Sequence, residues 1–264
     1  EQKVPKGPVF QKSGGVQRVL RYEAPSWRHP MGTDGVGRDV AIRLIYGTKI
    51  SLLSGVVATV FFLLSGVTLG ILIGYFEGRW RKIFLYVFNL VNSFPILLLL
   101  LLTIVFFEFI LRNLPANVSD LKVLFLMMFL GIFSGPRLAE LIQGRIMSLK
   151  KQDFILSARS LGISPLTIIF KHILWYECRL ILLVQCADMM GRAVLFETIL
   201  TYLKYGVEPP NVSWGLMLRD MMEGILYGRT STIFPMIAVA FMVSFFMYVS
   251  QEIGKIYRLR TEQI

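Results

Sequence analysis

Gln152-Asp153-Phe154-Ile155-Leu156-Ser157-Ala158-Arg159-Ser160-Leu161-Gly162-Ile163-Ser164-Pro165 is a polar, basic interruption between two long apolar segments. Two membrane spans need only a short turn to join them. A helix-sized insert at such a place suggests an element that a soluble partner can grasp. At about 100° per residue, Phe154, Ile155, Ala158, Leu161 and Gly162 fall within one third of a helical wheel. Gln152, Asp153, Ser157, Arg159 and Ser160 take the other side, with Leu156 an apolar exception among them. Such a stripe buries itself against a neighbouring helix or enters a groove in a soluble protein. A plain amphipathic connector carries the same pattern. Gly162 suits a helix end or a close approach, and Ser164-Pro165 opens the next element.

The flanking segments set the class. The 264-residue chain is 55% hydrophobic, with a mean hydropathy of +0.61. About 20 apolar residues cross a bilayer core, and five stretches qualify: 50–75, 83–111, 121–141, 173–203 and 232–253. Lipid offers no partner to backbone polar groups, so these spans must be helical. An all-α, polytopic transmembrane helical bundle follows. The formal net charge of +11 would suit nucleic acid, but its distribution argues against that. Alternate loops carry Arg79, Arg81, Lys82, then Arg137, Arg145, Lys150, Lys151, Arg159, Lys171, then Lys255, Arg258 and Arg260. The opposite loops carry only Arg112, Lys122, Lys204, Arg219 and Arg229. The positive-inside rule places the first set in the cytoplasm. The C-terminus is then cytoplasmic and residues 1–49 are external.

That external segment holds nine basic residues, and no signal-peptide pattern is visible within it. The chain begins at Glu1. The expectation is a parent protein with one further upstream span, six in all, and both ends in the cytoplasm. Two regions are expected: an external N-terminal segment, 1–49, and a transmembrane domain, 50–264, that includes the insert 152–165. Residues 1–28 read as irregular. Within 29–49 a turn precedes an amphipathic helix that Thr33 or Asp34 could cap.

Inside the spans, Gly66, Gly70 and Gly74 line one helix face and allow close packing. A pathway-lining face is the alternative. Pro95 should kink the second span beside Asn89, Asn92 and Ser93. Gly135-Pro136-Arg137 reads as a breaker, after which the helix resumes through Glu140 and Arg145. The fourth span holds Glu177, Arg179, Asp188, Arg192 and Glu197, with Asp188 and Arg192 spaced to pair. Ionisable residues within a span are functional candidates by default. Asn92, Ser93 and Pro95, at a polar kink, and the charged Asp188 are the substrate-pathway candidates because they are polar positions inside spans, against an equally simple role in bundle packing. Cys178 and Cys186 lie about 12 Å apart along a helix, too far for a disulfide. His29 and His172 are isolated, so no metal site is expected.

The insert resembles the signature loop of the inner-membrane permeases of ABC importers, Glu-Ala-Ala-x3-Gly-x9-Ile-x-Leu-Pro. Ala158, Gly162 and Leu174 agree with it; Leu156, Ser157, His172 and Trp175 stand where the pattern has Glu, Ala, Ile and Pro. Two further stretches are similar to the dipeptide/oligopeptide group, C-type subunit. One is His29-Pro30-Met31-Gly32-Thr33-Asp34-Gly35-Val36-Gly37-Arg38-Asp39 with Arg43 and Tyr46-Gly47. The other contains Glu197, Leu200, Leu203, Gly206, Pro209-Pro210 and Ser213-Trp214-Gly215, with Lys204 where the family usually has Gly. The three signatures, in family order, cover most of 29–260.

The resemblance implies the type I ABC importer permease fold and a site in the bacterial inner membrane. It implies a second, homologous permease as partner, two cytoplasmic ATPases, and an external substrate-binding protein. No Gly-x4-Gly-Lys-Ser/Thr phosphate loop is present, so this chain is expected to be no enzyme and to hold no cofactor. ATP and Mg would belong to the ATPase subunits. The insert would be a coupling helix, with Phe154, Leu156, Ser157, Ala158, Arg159, Leu161, Gly162, Ile163 and Pro165 meeting an ATPase groove. Gly32, Thr33, Asp34, Gly37, Arg38, Asp39, Glu197, Gly206, Pro209, Pro210, Trp214 and Gly215 would form the external signature. Peptides are the implied substrate, with nickel or glutathione as alternatives within the family. A stand-alone ion-coupled carrier or channel is the rival class.

Overall fold

The computed structural model describes residues 10–13, 16–19, 21–75, 79–111, 119–150, 152–226 and 229–262. Ten α-helices appear among them. They are α1 (Val40–Tyr75), α2 (Arg79–Ser93), α3 (Ile96–Leu111), α4 (Ser119–Leu149), α5 (Asp153–Ser160), α6 (Pro165–Thr167), α7 (Arg179–Tyr202), α8 (Trp214–Asp220), α9 (Met222–Leu226) and α10 (Ile233–Glu262). A π-helix, Ile168–Glu177, joins α6 to α7. The 112–118 connection and most of 1–20 lie outside the described residues. A hairpin nevertheless stands where irregular chain was expected: β1 (Phe10–Ser13) pairs antiparallel with β2 (Val16–Val19), Phe10 opposite Val19.

Among the described residues, three helical stretches are long and apolar enough to cross a membrane: Val40–Gly74, Lys122–Leu149 and Thr230–Leu259. The expected second span is not one kinked helix. It breaks into α2 and α3, which meet at 89°. Pro95 supplies no N–H and disfavours helical geometry at Phe94. The Ser93 hydroxyl turns back to the Asn89 carbonyl at 2.6 Å, and α3 restarts with Leu98 N–H bonded to Pro95 O. The expected fourth span is also divided, between the π-helix and α7, at Cys178.

Two compact units are built from these elements. One comprises Glu1–Gly55, Asn113–Phe125 and Gly191–Phe245; the other comprises Val56–Arg112, Leu126–Met190 and Phe246–Ile264. The first has an apolar core of Val40, Val194, Val212, Trp214, Met217, Met221 and Val239. α1 enters it directly from the external signature. The amphipathic helix expected within 29–49 and the first span are therefore one continuous helix. Its cap is neither Thr33 nor Asp34 but Asp39, whose Oδ1 accepts the Ile42 N–H at 3.0 Å.

In the second unit the glycine face of α1 is a packing face. A Cβ on Gly66 would lie 2.7 Å from Leu138 Cβ, and one on Gly70 would lie 2.8 Å from Ile142 Cβ. Gly74 packs on Ile146 in the same way. From the α4 side, Gly131 sits against the Ala58 carbonyl and Gly135 against the Ser65 hydroxyl. This contact explains why Gly135-Pro136 does not break α4, which runs through Pro136 without interruption. Pro136 forfeits a backbone bond, but its bulk-free neighbour lets two helices approach, and tertiary packing outweighs local propensity. Beside this seam Ile73, Phe88 and Ala139 form a smaller core.

Gly70→Leu should therefore lower stability by about 1–3 kcal/mol through overpacking. Gly144, on the same α4, faces open space, with no atom within 4 Å of the position a Cβ would take. Gly144→Ala should be neutral or gain up to about 1 kcal/mol. Thermal unfolding of the two variants in detergent measures both.

Candidate functional site

In the first unit the residues around the start of α1 build an ionic quartet, with Arg43 and Asp34 buried and Arg38 and Asp220 partly exposed. Arg43, on the first turn of α1, is 1% exposed. Its Nη1 donates to Asp34 Oδ2, and its Nη2 donates to Asp220 Oδ2 at 3.0 Å. Arg38 repeats the bridge: Nε to Asp34 Oδ2 at 2.8 Å and Nη2 to Asp220 Oδ2 at 3.1 Å. Two guanidinium groups and two carboxylates alternate and sum to zero charge. Burial of ions is costly unless they are paired and hydrogen-bonded, and each of the four groups is paired here, although Arg43 Nε finds no partner among the described residues.

The 29–39 turn is shaped to deliver Asp34. Its Oδ1 accepts backbone N–H groups of Val36 at 3.0 Å and Arg38 at 2.8 Å. Gly32 and Gly37 have φ of +73° and +82°, a region that favours glycine. A Cβ on Gly32 would strike the Glu23 carbonyl. Thr33 Oγ1 accepts from Glu23 N–H at 2.9 Å, and Asp39 Oδ2 meets His29 Nδ1 at 2.7 Å. Burial pushes the Asp34 carboxyl up. The Arg38 backbone N–H and the charges of Arg43 and Arg38 outweigh it and hold the carboxyl below its ordinary value of 3.8.

A second buried carboxylate, Glu197 on α7, is met by hydroxyls. Ser51 Oγ donates to Oε2 at 3.1 Å, Thr201 Oγ1 donates to Oε1 at 2.9 Å, and Ser213 joins them. The same hydroxyls bind the following loop. Thr201 Oγ1 accepts Val207 N–H at 3.1 Å, and Ser213 Oγ caps α8 by accepting Leu216 N–H at 3.2 Å. Trp214 is buried, with Nε1 donating to the Leu44 carbonyl at 3.0 Å. Gly206 packs on Thr201 and Gly215 on Thr198, each too close for a side chain. Pro209 and Pro210 are exposed and joined by a cis bond. The two signature stretches, 29–39 and 197–215, thus converge on the ends of α1, α7 and α8. Ser51, Thr201 and Asp220 belong with these residues as well, although neither charge pattern nor motif had singled them out. Ser51 and Thr201 were visible only as polar residues inside apolar stretches.

Lys204 closes α7 with φ +71°. Tyr205 N–H bonds Leu200 O at 2.8 Å and Lys204 N–H bonds Thr201 O at 3.0 Å, the paired bonds of a Schellman end. A lysine takes the glycine position here without changing the turn.

The second unit carries the insert. α5 packs inward through Ile155, which is 0% exposed. Its seat is an apolar cavity lined by Ile146 of α4, Lys150 just beyond its end, Pro165, and Ile168, Ile169 and Ile173 of the π-helix. The apolar stripe is thereby split: Ile155 faces inward, whereas Phe154 is 42% and Leu161 80% exposed. Ser157, Gly162 and Pro165 are exposed; Ala158 and Ile163 are half-buried. Leu156 and Arg159 belong to α5, but their side chains lie outside the described set. Gly162 ends the helix at φ +78°, with Ile163 N–H bonded to Ala158 O at 3.1 Å and open space around its Cα. Ser164 caps α6 by accepting Thr167 N–H at 3.2 Å.

The pathway candidates fall on separate elements. Asn92, Ser93 and Pro95 are exposed at the α2–α3 break, and Asp188 is half-buried on α7.

Residues 66–262 match the family described as binding-protein-dependent transport system inner membrane component. The chain belongs to that family. It is 33% identical over 217 residues to the glutathione transport system permease protein GsiD of Pectobacterium atrosepticum, covering 82% of this chain and 68% of the relative. The protein of the same name from Escherichia coli O157:H7 is 33% identical over 215 residues, covering 81% and 67%. The fold is similar to a chain of the MetNI methionine ABC transporter, solved in inward-facing conformations, with a TM-score of 0.63 and 16% identity. That likeness covers 81% of this chain and 96% of the other. This permease is thus a membrane-embedded subunit of an ABC importer, working with an ATPase and a substrate-binding protein.

Two outcomes follow for the permease's buried signature. Asp34→Ala leaves the buried Arg43 with Asp220 as its one remaining carboxylate partner in the quartet and should cost about 3 kcal/mol. Because the folded Asp34 carboxyl lies below 3.8, its contribution is full above that value and is lost as pH falls through the depressed one. Wild-type melting should therefore drop on acidification in a way that Asp34→Asn does not reproduce. Lys204→Gly, by contrast, should raise stability by up to about 1 kcal/mol, since a left-handed residue with a side chain costs roughly 1–2 kcal/mol.

Proposed function

We propose that this chain is the C-type permease of a peptide-importing ABC transporter, paired with a second, homologous permease. The observation that carries the coupling role is the geometry of α5. Ile155 fixes the helix from below, while Phe154 and Leu161 remain uncovered beside the open turn at Gly162. Residues 152–165 dock in a groove of a cytoplasmic ATPase through Phe154, Ser157, Ala158, Leu161, Gly162, Ile163 and Pro165, with Leu156 and Arg159 on the same helix. ATP and Mg are bound by the ATPases, and this chain catalyses nothing itself. Closure of the ATPases moves α5, and the permease pair alternates between outward and inward access.

The basic loops support a cytoplasmic α5 and C-terminus. Residues 29–49 and 204–231 then face the binding protein or the outer gate. The rigid signature around Asp34 and Glu197 suits such a gate, because a surface held by buried ion pairs keeps its shape. Asn92, Ser93, Pro95 and Asp188 line the pathway. The peptide class is supported by the similarity to permeases named for glutathione, itself a tripeptide.

Leu161→Asp tests the reading. The side chain is exposed, so the variant should melt like wild type, yet lose at least about 2 kcal/mol of ATPase affinity, as hot-spot truncations do. Co-purification from the native membrane followed by mass spectrometry reads it. Full recovery of ATPases with Leu161→Asp, or transport by the chain alone after reconstitution, would reject the docking role. The latter result would favour an autonomous carrier.

A further inference from the structure

The loop that carries α5 is closed by an ion pair that no part of the signature supplies. Arg145 on α4 donates through Nη2 to Glu177 Oε2 at 3.0 Å, across 32 residues. Both side chains are 28% exposed, and Arg145 Nε is buried with no hydrogen-bond partner among the described residues. Glu177 is the last residue of the π-helix, and the next N–H, of Cys178, continues its bonding pattern to Ile173 O at 2.9 Å. Between the paired residues lie all the groups of the apolar seat: Ile146, Lys150, Ile155, Pro165, Ile168 and Ile173 among them. The π-helix itself runs through Trp175, where the family pattern has a proline. Proline has no N–H to give such a helix. π-helical turns are uncommon and are frequently found at functional sites.

From these contacts we infer that Arg145 and Glu177 are positioning residues for coupling. They pin the far end of the π-helix to α4, so that a push on α5 is passed through the seat into α7 instead of being absorbed by the loop. The inference rests on the proposed docking of α5. Without the pair, α5 still presents Phe154 and Leu161, and ATPases still bind. What is lost is the stiffness of the connection.

The experiment uses the intact importer, purified from its native membrane and reconstituted in liposomes. Radiolabelled glutathione and a radiolabelled alanine dipeptide are the transport probes. Glu177→Gln, Arg145→Glu, Glu177→Arg and the charge-swapped double variant are compared for bound ATPase, ATP hydrolysis and probe imported per ATP. Each single variant should keep its ATPases and hydrolyse ATP, while import per ATP falls about fivefold. The double variant should recover most of it, as contacting pairs in a mutant cycle do. Wild-type import per ATP in the single variants, or a double variant as impaired as they are, would overturn the inference. Loss of ATPases from Leu161→Asp with unchanged coupling in Glu177→Gln would retain the docking role and reject the clamp. If the wild type imports neither probe, the peptide reading fails, and hydrogen exchange of the 168–178 amides decides the clamp. Exchange about tenfold faster in Glu177→Gln and restored by the swap would support it; unchanged exchange would reject it.

Discussion

A guanidinium that is 1% exposed must be neutralised where it stands, and Arg43 dictates much of the first unit for that reason. Its two carboxylate partners come from opposite ends of the sequence, Asp34 and Asp220. To reach Arg43, Asp34 must lie on a tight turn with its backbone acceptors and donors already used. This accounts for two left-handed glycines and for the bonds from Val36 and Arg38. To reach it from the other side, α8 must end beside α1, which Trp214 and the Ser213 cap bring about. Ion pairs of this kind contribute little net stability when set against well-packed apolar substitutes. Their effect is on specificity: an alternative arrangement of the turn or of α8 would leave a charge unpaired. Glu197 works by the same rule with hydroxyls in place of guanidinium groups.

The second unit is ruled by shape instead of charge. Between α1 and α4, five glycines remove the side chains that would keep the helix backbones apart, and Leu138, Ile142 and Ile146 fill the positions opposite the three on α1. Lipid chains are as apolar as leucine, so close van der Waals contact is the means of association available within a bilayer. Proline is tolerated in α4 where this contact holds the helix on both sides of it, and not between α2 and α3, where Pro95 is exposed. Two prolines in apolar segments thus have opposite outcomes, and the difference lies in the tertiary neighbours.

That contrast marks how far the sequence could be read. Long apolar runs and the glycine face of α1 were legible because composition and period alone demand them. The helical insert was legible for the same reason. The cap of α1 was not: Thr33, Asp34 and Asp39 are all capping types, and the pull of Arg43 on Asp34 leaves Asp39 for the helix. Asp220 was not legible either, because it meets Arg38 across 182 residues and nothing local announces it. The inward turn of Ile155 was hidden inside a stripe that treats it as equal to Phe154. Only the seat formed by α4 and the π-helix separates the two.

The exposed face of α5 also indicates what kind of surface covers it. Phe154 and Leu161 share the segment with Asp153, Ser157 and Ser160, all exposed. Hydrocarbon would suit the first pair and penalise the rest, because a carboxylate and hydroxyls are costly to take out of water. Water would suit the polar group and leave the apolar pair hydrated. A protein groove can satisfy both, with an apolar floor and a polar rim, which is the usual anatomy of a specific interface. Helix-in-groove binding of this sort is strong only if the helix is already formed and held. Ile155 in its seat, Gly162 at the helix end and Ser164 at the start of the next turn provide that pre-organisation before any partner arrives.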